Sequence, residues 1–453
     1  MSSTHAFAAE SRGSFAAANS PGIGVVLALR SAGQPAESSR YAEFGRLDTT
    51  VLVIFLVVYL GMVMGRLPAL TMDRTGVALL GAIALLVLEK LTPEEAWRSI
   101  DVPTIALLFG LMVVSAQLRL GGFYSTVTRR IASARLRPPA LLAVLIASVS
   151  VLSAVLSNDV VCLAVAPVLV EGCARRKLDP VPFLLALACA SNVGSAFTLI
   201  GNPQNMLIGQ TLKMSFAGYL FLDALVPTAL GLVATWAIIC LRSQGKWEKE
   251  TAEVTADAPP LDAWQTGKGI AVIAVVVALF LFTDWPREVV ALGASGVLLL
   301  SRRMHSRTML GYVDWQLLVL FIGLFVVNHA FETTGIPGRM VARLAEAGAD
   351  PQQPVWLFAA TAVLSNAVSN VPAVMLLLPL ASHALAGPIL ALASTLAGNL
   401  VIAGSIANII VVDAAARQGV TIGWARHFRT GLPVTLVTLA IAAGWLWLRA
   451  PGA

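Results

Sequence analysis

Two long apolar stretches of this chain are each interrupted by a polar Ser-Asn pair. The first pair begins at Ser157 and the second at Ser369, 212 positions later (369 − 157), and a proline follows each pair at the same distance. Matching polar breaks recur in "LIGNPQN" at 199–205 and "IAGSIAN" at 402–408. Lipid offers no hydrogen-bond partners, so polar turn residues at membrane depth must be buried in protein. Two such breaks in equivalent places are the best sequence indication of a solute-binding site in a membrane carrier.

The composition is that of a membrane protein. Of the 453 residues, 57% are hydrophobic and 12% are charged, with a mean hydropathy of +0.80. Soluble proteins carry about twice that share of charged residues. A bilayer crossing needs about 20 apolar residues, so the chain is predicted to be an all-α, polytopic membrane protein with many spans. The predicted spans are 51–66, 75–90, 101–118, 182–200, 217–241, 269–283, 286–301, 315–331, 388–402 and 430–448.

The Ser-Asn pairs lie in two further apolar blocks, 139–174 and 354–386, each longer than one span. A full crossing on either side of each pair is one alternative. We favour a re-entrant hairpin, because its polar tip would then lie at membrane depth, buried in protein. The fourth and ninth spans continue past a Gly/Asn break into short helices near 204–212 and 406–416. Both are therefore predicted to be broken helices at the midplane.

The two halves of the chain match beyond these breaks. "DVPTIALLFGLMV" parallels "DWQLLVLFIGLFV", and Gly122 and Gly335 each precede an amphipathic segment, 123–137 and 336–347, suited to the membrane interface. Five spans and one hairpin per half give an odd number of crossings, so the second copy is predicted to be inverted. The predicted organisation is a tail at 1–46, a first repeat at 47–241, a central cytoplasmic linker at 242–268 and an inverted second repeat at 269–449.

The tail, residues 1–46, is rich in Ala, Ser and Gly and contains only a short apolar run. We interpret it as disordered, with a wrongly assigned start as the alternative.

Basic residues concentrate in one set of connections, and their distribution predicts the orientation. Six connections are predicted to share one face: 66–74, 119–137, 175–177, 242–268, 302–307 and 417–429. That face holds 20 of the 31 Lys and Arg, leaving 11 for the other. The positive-inside rule makes the richer face cytoplasmic. A topology signal therefore explains the net charge of +6 better than nucleic-acid binding does.

The first hairpin tip combines three polar residues, Ser157, Asn158 and Asp159. Asparagine supplies both an acceptor and donors, and the free N–H groups of a half-helix favour anions, while turn carbonyls can hold a cation. Asp159 is the most informative residue, because an intramembrane carboxylate is a functional hypothesis by default. The alternative is that these residues only cap a helix. Duplication of the motif at Ser369 and Asn370 favours a site.

The segment 190–209 and its partner around 398–408 are rich in glycine and amides where a helix would otherwise continue. Glycine at Gly201 and Gly404 would permit positive φ. Packing of small residues is the alternative, but it does not explain the amides. The candidate substrate- or ion-binding residues are Ser157, Asn158, Asp159, Gly201, Asn202, Asn205, Ser369, Asn370, Gly404, Ser405 and Asn408.

Other kinds of site have little support in the sequence. The four cysteines, Cys162, Cys173, Cys189 and Cys240, form no C-x-x-C pair and are read as packing residues instead of soft metalloid ligands. Neither paired intramembrane carboxylates nor H-E-x-x-H occurs on the spans, so an intramembrane enzyme is not expected. Apart from sodium at the hairpin tips, no metal or cofactor is predicted.

These motifs resemble those of the ion transporter superfamily, which includes arsenical pump membrane proteins, NhaD-type sodium/proton antiporters and divalent-anion/sodium symporters. The resemblance covers most of 50–450 and rests on "LSNDVVCLAVAPVLVE", "LIGNPQNMLIG", "VSNVPAVMLLLPL" and "LAGNLVIAGSIAN". The pair Asn158-Asp159 and the form Asn370-x-Pro372 look most like the arsenical-pump branch. Asp159 and Val371 stand where the carboxylate symporters have threonine, and "GNPQN" departs from the antiporters' "GDPPN".

The resemblance implies a scaffold and a mobile transport domain in the inner membrane of a bacterium. We expect a secondary active transporter for a small anion or metalloid, such as arsenite or a di- or tricarboxylate, working by alternating access and coupled to sodium or protons. A sodium/proton antiporter is the alternative, and a passive channel fits broken helices less well. The resemblance leaves room for a homodimer and, if the chain is like the arsenical pumps, for a separate ATPase subunit, since no nucleotide-binding motif appears.

Overall fold

The computed structural model describes residues 49–65, 72–249, 255–256 and 259–450, all within one compact unit, Asp48–Ala453. The predicted disordered tail at 1–46 lies outside the described residues. The described part is all-helical and forms no β-strand. The helices of the first half are α1 (Thr49–Met64), α2 (Arg74–Val87), α3 (Pro93–Ser99), α4 (Val102–Leu120), α5 (Phe123–Ser133), α6 (Pro138–Val155), α7 (Asn158–Arg175), α8 (Pro180–Ser195), α9 (Pro203–Thr211) and α10 (Phe216–Ser243).

The second half repeats this order of elements. Its helices are α11 (Ala263–Phe282), α12 (Arg287–Leu299), α13 (Ser306–Leu310), α14 (Trp315–Thr333), α15 (Ile336–Glu346), α16 (Pro354–Val368), α17 (Asn370–Leu377), α18 (Ala386–Ala397), α19 (Ile406–Ala416) and α20 (Trp424–Leu448). Equivalent helices also begin in the same way. Asp101 accepts from the backbone N–H of Thr104 at 2.9 Å, and Asp314 accepts from that of Leu317 at 3.0 Å.

The halves pack against each other through equivalent glycines. A Cβ added to Gly110 on α4 would lie 2.6 Å from the carbonyl carbon of Ala291 on α12, and one on Gly323 of α14 would lie 2.8 Å from that of Ala78 on α2. Both contacts are related by the same offset of 213 (323 − 110 and 291 − 78). Such close approach requires glycine, so the repeated glycines serve to pack one half on the other. Elsewhere α10 packs against α20, and α7 against α19.

Six of the described helices are long and apolar enough to cross a membrane, namely α4, α6, α10, α11, α14 and α20. The remaining predicted spans are shorter. α1 and α2 have 16 and 14 residues, so they reach the thickness of a bilayer only with their flanking residues. The count of ten crossings and the inversion of the second repeat stay predictions.

The predicted ends of two spans are wrong. The fourth and ninth spans were expected to run to 200 and 402, but α8 ends at Ser195 and α18 at Ala397, so each break starts about one turn earlier. The connection between the halves is also shorter than 242–268, because α11 begins at Ala263. Asp262 accepts from the N–H groups of Trp264 and Gln265 and so caps α11 before the apolar run begins.

The two Ser-Asn segments differ in their returning helices. α7 runs for 18 residues with Pro167 inside it, whereas α17 has eight residues and passes into a 3₁₀ turn that contains Pro379. Each Ser-Asn does stand between two helices. The amphipathic segments form α5 and α15, and each follows a glycine with positive φ, 72° at Gly122 and 66° at Gly335.

Candidate functional site

The broken helices α8–α9 and α18–α19 pack together through buried polar side chains that centre on Asn192. Its Nδ2 donates to the Oδ1 atoms of Asn399 at 2.9 Å and Asn408 at 3.1 Å. Its Oδ1 accepts from Ser405 Oγ at 2.9 Å and from Asn158 Nδ2 at 3.3 Å. One amide thus joins both broken helices and the first hairpin tip. We call these five residues the Asn192 cluster.

Thr395 on α18 has the same role in the other half. It lies 203 positions after Asn192, the offset that also relates the two breaks (404 − 201). Its hydroxyl accepts from Asn202 Nδ2 at 3.1 Å and Gln204 Nε2 at 3.2 Å, and it donates to Asn205 Oδ1 at 3.4 Å. A hydroxyl has one donor and two acceptor sites, so all three are used.

The bonds between the halves are reciprocal. Asn202 in the first break donates to Thr395 on α18, and Ser405 in the second break donates to Asn192 on α8. Asn202 and Ser405 are equivalent at the same offset of 203, as are Asn192 and Thr395. This exchange supports a two-fold relation between the halves at the site.

Asn205 and Asn408 hold the breaks open. Asn205 Nδ2 donates to the carbonyl of Thr198 at 3.0 Å. Asn408 Nδ2 donates to the carbonyls of Gly398 at 2.7 Å and Val401 at 3.1 Å. The carbonyls of Thr198 and Gly398 follow the end of a helix and have no helical partner, whereas that of Val401 also accepts from the backbone N–H of Gly404 at 3.0 Å. The amide nitrogens of both asparagines are therefore committed to the backbone.

The two break glycines are required for a reason other than the predicted one. Neither Gly201 nor Gly404 has positive φ. Instead, a Cβ on Gly201 would lie 2.3 Å from the carbonyl oxygen of Ser195, and one on Gly404 would lie 3.1 Å from that of Gly398. At Gly201 this close backbone approach excludes a side chain, whereas at Gly404 a side chain would require its neighbours to move by a few tenths of an ångström.

Each Ser-Asn tip contacts the break of its own half. The backbone N–H of Asn158 donates to the carbonyl of Gly201 at 3.2 Å. With its amide oriented to suit its neighbours, Asn370 Nδ2 donates to the carbonyl of Gly404 at 3.1 Å, and its Oδ1 accepts from Gln204 Nε2 at 3.3 Å. The predicted residues Asn158, Gly201, Asn370 and Gly404 therefore lie together in one buried region.

The serines of the tips do not cap the helices that follow them. Neither Ser157 nor Ser369 makes a side-chain cap hydrogen bond. Ser369 has φ of 78°, a conformation that costs a non-glycine residue free energy, whereas Ser157 has φ of −54°. Helix capping by the serine side chains therefore does not account for the recurrence of the Ser-Asn pair in the two halves.

Two buried atoms beside Asn192 have no hydrogen-bond partner in the described part of the chain. They are Asn158 Oδ1, an acceptor, and Asn399 Nδ2, a donor. Their residues are 4% and 0% exposed. A buried polar atom without a partner costs about 1–3 kcal/mol, so these two atoms, which lie beside the same amide, are candidates for binding another group.

The charge around the cluster is small. Asp159 is half-buried in the first turn of α7, and its carboxylate makes no hydrogen bond or ion pair with the described residues. His427 on α20 contacts the carbonyl of Asn399 through Nε2 at 3.2 Å. No Arg or Lys is buried anywhere in the described ranges. The region therefore contains many neutral donors and acceptors, one buried histidine and no buried Arg or Lys among the described residues.

The second tip also contacts α1 and α14. Tyr59 on α1 donates to Asn328 Oδ1 on α14 at 2.8 Å and approaches the carbonyl of Pro372 on α17 at 3.4 Å. A cavity of about 290 Å³ reaches Asn328 from a rim that includes Asp101 and Glu332. The cavity also contacts Met375 on α17, so it lies beside the helix that follows the second tip.

The structure adds four residues that the sequence analysis did not select: Asn192, Gln204, Thr395 and Asn399. Their sequence signal was the polar character of 190–209 and of its partner stretch. Which of those polar residues point at each other depends on the register between the halves, and a single sequence does not give that register.

Comparison with known families covers most of the chain. The model of the CitMHS family, described as citrate transporter, matches residues 50–397. The silicon efflux transporter LSI3 of Oryza sativa subsp. japonica is 28% identical over 86% of this chain and 95% of its own length. The inner membrane protein YbiR of Escherichia coli is 29% identical over 76% of this chain and 87% of its own.

A solved structure shares the fold. The crystal structure of the YdaH transporter of Alcanivorax borkumensis, described as having an unusual topology, aligns with a TM-score of 0.53 at 15% identity. The alignment covers 92% of this chain and 98% of that one. At this identity the likeness concerns the arrangement of helices.

Proposed function

This chain belongs to the citrate transporter family, and from that membership we propose that it is a secondary active transporter for a small hydroxylated solute. The solute class that fits best is a neutral or weakly acidic hydroxide of a metalloid, of which arsenous and silicic acid are examples. The silicon efflux transporter among the relatives supports this class. Transport would proceed by alternating access, with a sodium or proton gradient as the driving force.

The observation that carries the proposal is the pair of unpartnered atoms beside Asn192. A hydroxyl group both donates and accepts, so a hydroxylated solute offers a donor to Asn158 Oδ1 and an acceptor to Asn399 Nδ2. A solute with several hydroxyls can extend these bonds along the amides of both halves. Neutral donors and acceptors match a neutral solute without a charge penalty.

A di- or tricarboxylate fits the region less well. Burying two or three negative charges requires compensating cations, and no Arg or Lys is buried in the described part. Asp159 adds a further negative charge beside the first tip. A carboxylate solute would need sodium bound with it. Turn carbonyls and the Asp159 side chain would hold the sodium, and the amino ends of α7 and α17 would favour the carboxylate.

Asp159 supports the second candidate, a sodium/proton antiporter. A half-buried carboxylate that has no partner in the described residues is suited to bind sodium or a proton in turn. In this case the amides would hold the coordinating backbone in place, and no second solute would move.

Transport by purified protein in proteoliposomes separates these alternatives. Vesicles are given an imposed proton or sodium gradient, and uptake of arsenite, silicic acid, citrate, succinate and sodium is compared. We expect gradient-dependent uptake of a metalloid hydroxide and weaker uptake of the carboxylates. Sodium/proton exchange with no uptake of any of the other solutes would establish the antiporter instead.

A further inference from the structure

A large basic cavity lies at the C-terminal end of α7, whereas Asn158 of the amide region lies at its N-terminal end. It has a volume of about 850 Å³ and is bounded by α5, the connection from α5 to α6, and the last turns of α7. Six arginines line it: Arg129, Arg130, Arg135, Arg137, Arg175 and Arg176. The acidic lining residue is Glu171, so the lining carries a net charge of +5 (6 − 1) at neutral pH.

Three of these arginines are occupied by the protein itself. Glu171 pairs with Arg175 at 2.5 Å and with Arg129 at 3.7 Å. Arg176 donates to the carbonyls of Ala134 at 2.9 Å and Leu136 at 2.8 Å, which fixes the connection between α5 and α6.

The other three arginines remain without such partners. The side chains of Arg130, Arg135 and Arg137 make no hydrogen bond or ion pair with the described residues. Like charges held together around one cavity repel each other, so an anion inside it would relieve the repulsion. A topology signal needs only the charges and gives no reason for a cavity.

Several features place the cavity at the level of the lipid headgroups. α5 is amphipathic and follows the left-handed turn at Gly122. Trp236 on α10 donates its indole N–H to the carbonyl of Pro139, at the start of α6, and tryptophan is enriched at the interface. Leu136, which lines the cavity, is 38% exposed and offers an apolar edge.

We propose that this cavity binds the phosphate-bearing headgroup of an anionic phospholipid. Guanidinium groups bind phosphate oxygens through paired hydrogen bonds, and basic pockets between membrane helices on the cytoplasmic side suit such headgroups. The volume is large enough for a headgroup, and the apolar edge at Leu136 gives the acyl chains an exit. The base of the first hairpin is then anchored to lipid, about 27 Å along α7 from Asn158.

The test uses the full-length protein purified in detergent, with lipid added back. Retained phosphatidylglycerol and phosphatidylcholine are counted by native mass spectrometry, and the Tm is measured with each lipid. The variant R130Q/R135Q/R137Q removes the three unpaired charges and leaves Arg176 in place. Its matched control, R302Q/R303Q/R307Q, removes three exposed arginines from connections that are predicted to share the same face.

We expect wild type and control to retain phosphatidylglycerol over phosphatidylcholine, and the cavity variant to lose this preference by roughly tenfold or more. R130K/R135K/R137K, which keeps the charge, should recover much of it. An unchanged Tm of the lipid-free cavity variant shows that its fold is intact.

Inorganic phosphate added at millimolar concentration separates the two phosphate sources. If it displaces the lipid and raises the Tm by itself, the cavity is a site for free phosphate, and the lipid proposal is wrong. If both triple variants lose the preference for phosphatidylglycerol equally, the cavity arginines act only as a topology signal and the lipid proposal is wrong.

Discussion

At the residue scale, the buried amides divide into those committed to the backbone and those with an atom to spare. Asn205 and Asn408 hold the breaks, whereas Asn158 and Asn399 each keep one atom without a partner in the described residues. Substitutions of the two kinds should therefore differ in effect. The first kind should affect folding, and the second kind should affect solute binding.

Asn158→Ala is expected to raise the KM for solute uptake by roughly 5- to 150-fold, because one buried hydrogen bond is worth about 1–3 kcal/mol. Gln117→Ala is the matched control, since Gln117 is a buried amide on α4 that bonds Gln265 on α11, away from the cluster. It should lower thermal stability and leave the KM unchanged. Equal KM values in wild type and the Asn158 variant would remove this residue from the site.

Gly201→Ala should destabilise the fold by roughly 1–3 kcal/mol, because its Cβ would lie 2.3 Å from the carbonyl oxygen of Ser195. Gly296 on α12 has open space around it, so Gly296→Ala should be neutral or slightly stabilising. Thermal unfolding of the two purified variants makes the comparison. A Gly201 variant as stable as wild type would mean that the break can widen.

At the element scale, the sequence predicts the order of helices better than their ends. Apolar runs separated by basic connections indicate α4, α14 and α20 directly, because length and hydropathy are local properties. The position at which α8 ends depends on residues further along the chain. Asn205, ten residues after Ser195, donates a hydrogen bond to the carbonyl of Thr198 in the break, where a further helical turn would otherwise lie. The central role of Asn192 likewise depends on contacts more than 200 residues away.

The two Ser-Asn elements should respond differently to glycine. Ser369→Gly removes the strain of a serine at φ 78° and should stabilise the protein or leave it unchanged. Ser157→Gly, at φ −54°, relieves nothing and should destabilise by up to about 1 kcal/mol through the greater freedom of the unfolded chain. Paired thermal melts test the difference, and the opposite order would contradict the strained turn.

At the scale of the whole molecule, the distribution of basic residues predicts the orientation of the protein in the membrane. Single cysteines at 302–307 should be accessible to membrane-impermeant reagents from the cytoplasm only, since the predicted basic face contains that connection. Labelling from outside intact cells would reverse the assignment. A cysteine at 284, in the connection between α11 and α12, serves as the control with the opposite expected result.

Asp159→Asn tests coupling in the same vesicles. If Asp159 carries the proton, the variant should lose its response to a pH gradient and keep exchange of solute across the membrane. If Asp159 helps to bind sodium, the variant should lose sodium dependence and keep its response to pH. A variant that responds to both gradients like wild type would mean that Asp159 takes no part in coupling and serves only as a charge at the start of α7.

The reciprocal bonds between the breaks bear on which state the proposed transport cycle would favour at rest. Suppose that the proposed transport cycle exchanges the conformations of the two halves. Identical halves would then give inward- and outward-open states of equal free energy. The halves differ at the bonds themselves, because Asn192 accepts from a serine while Thr395 accepts from an asparagine. In such a cycle that mismatch would give the two states different free energies, so the sequence divergence of the repeats would set the resting side of the membrane.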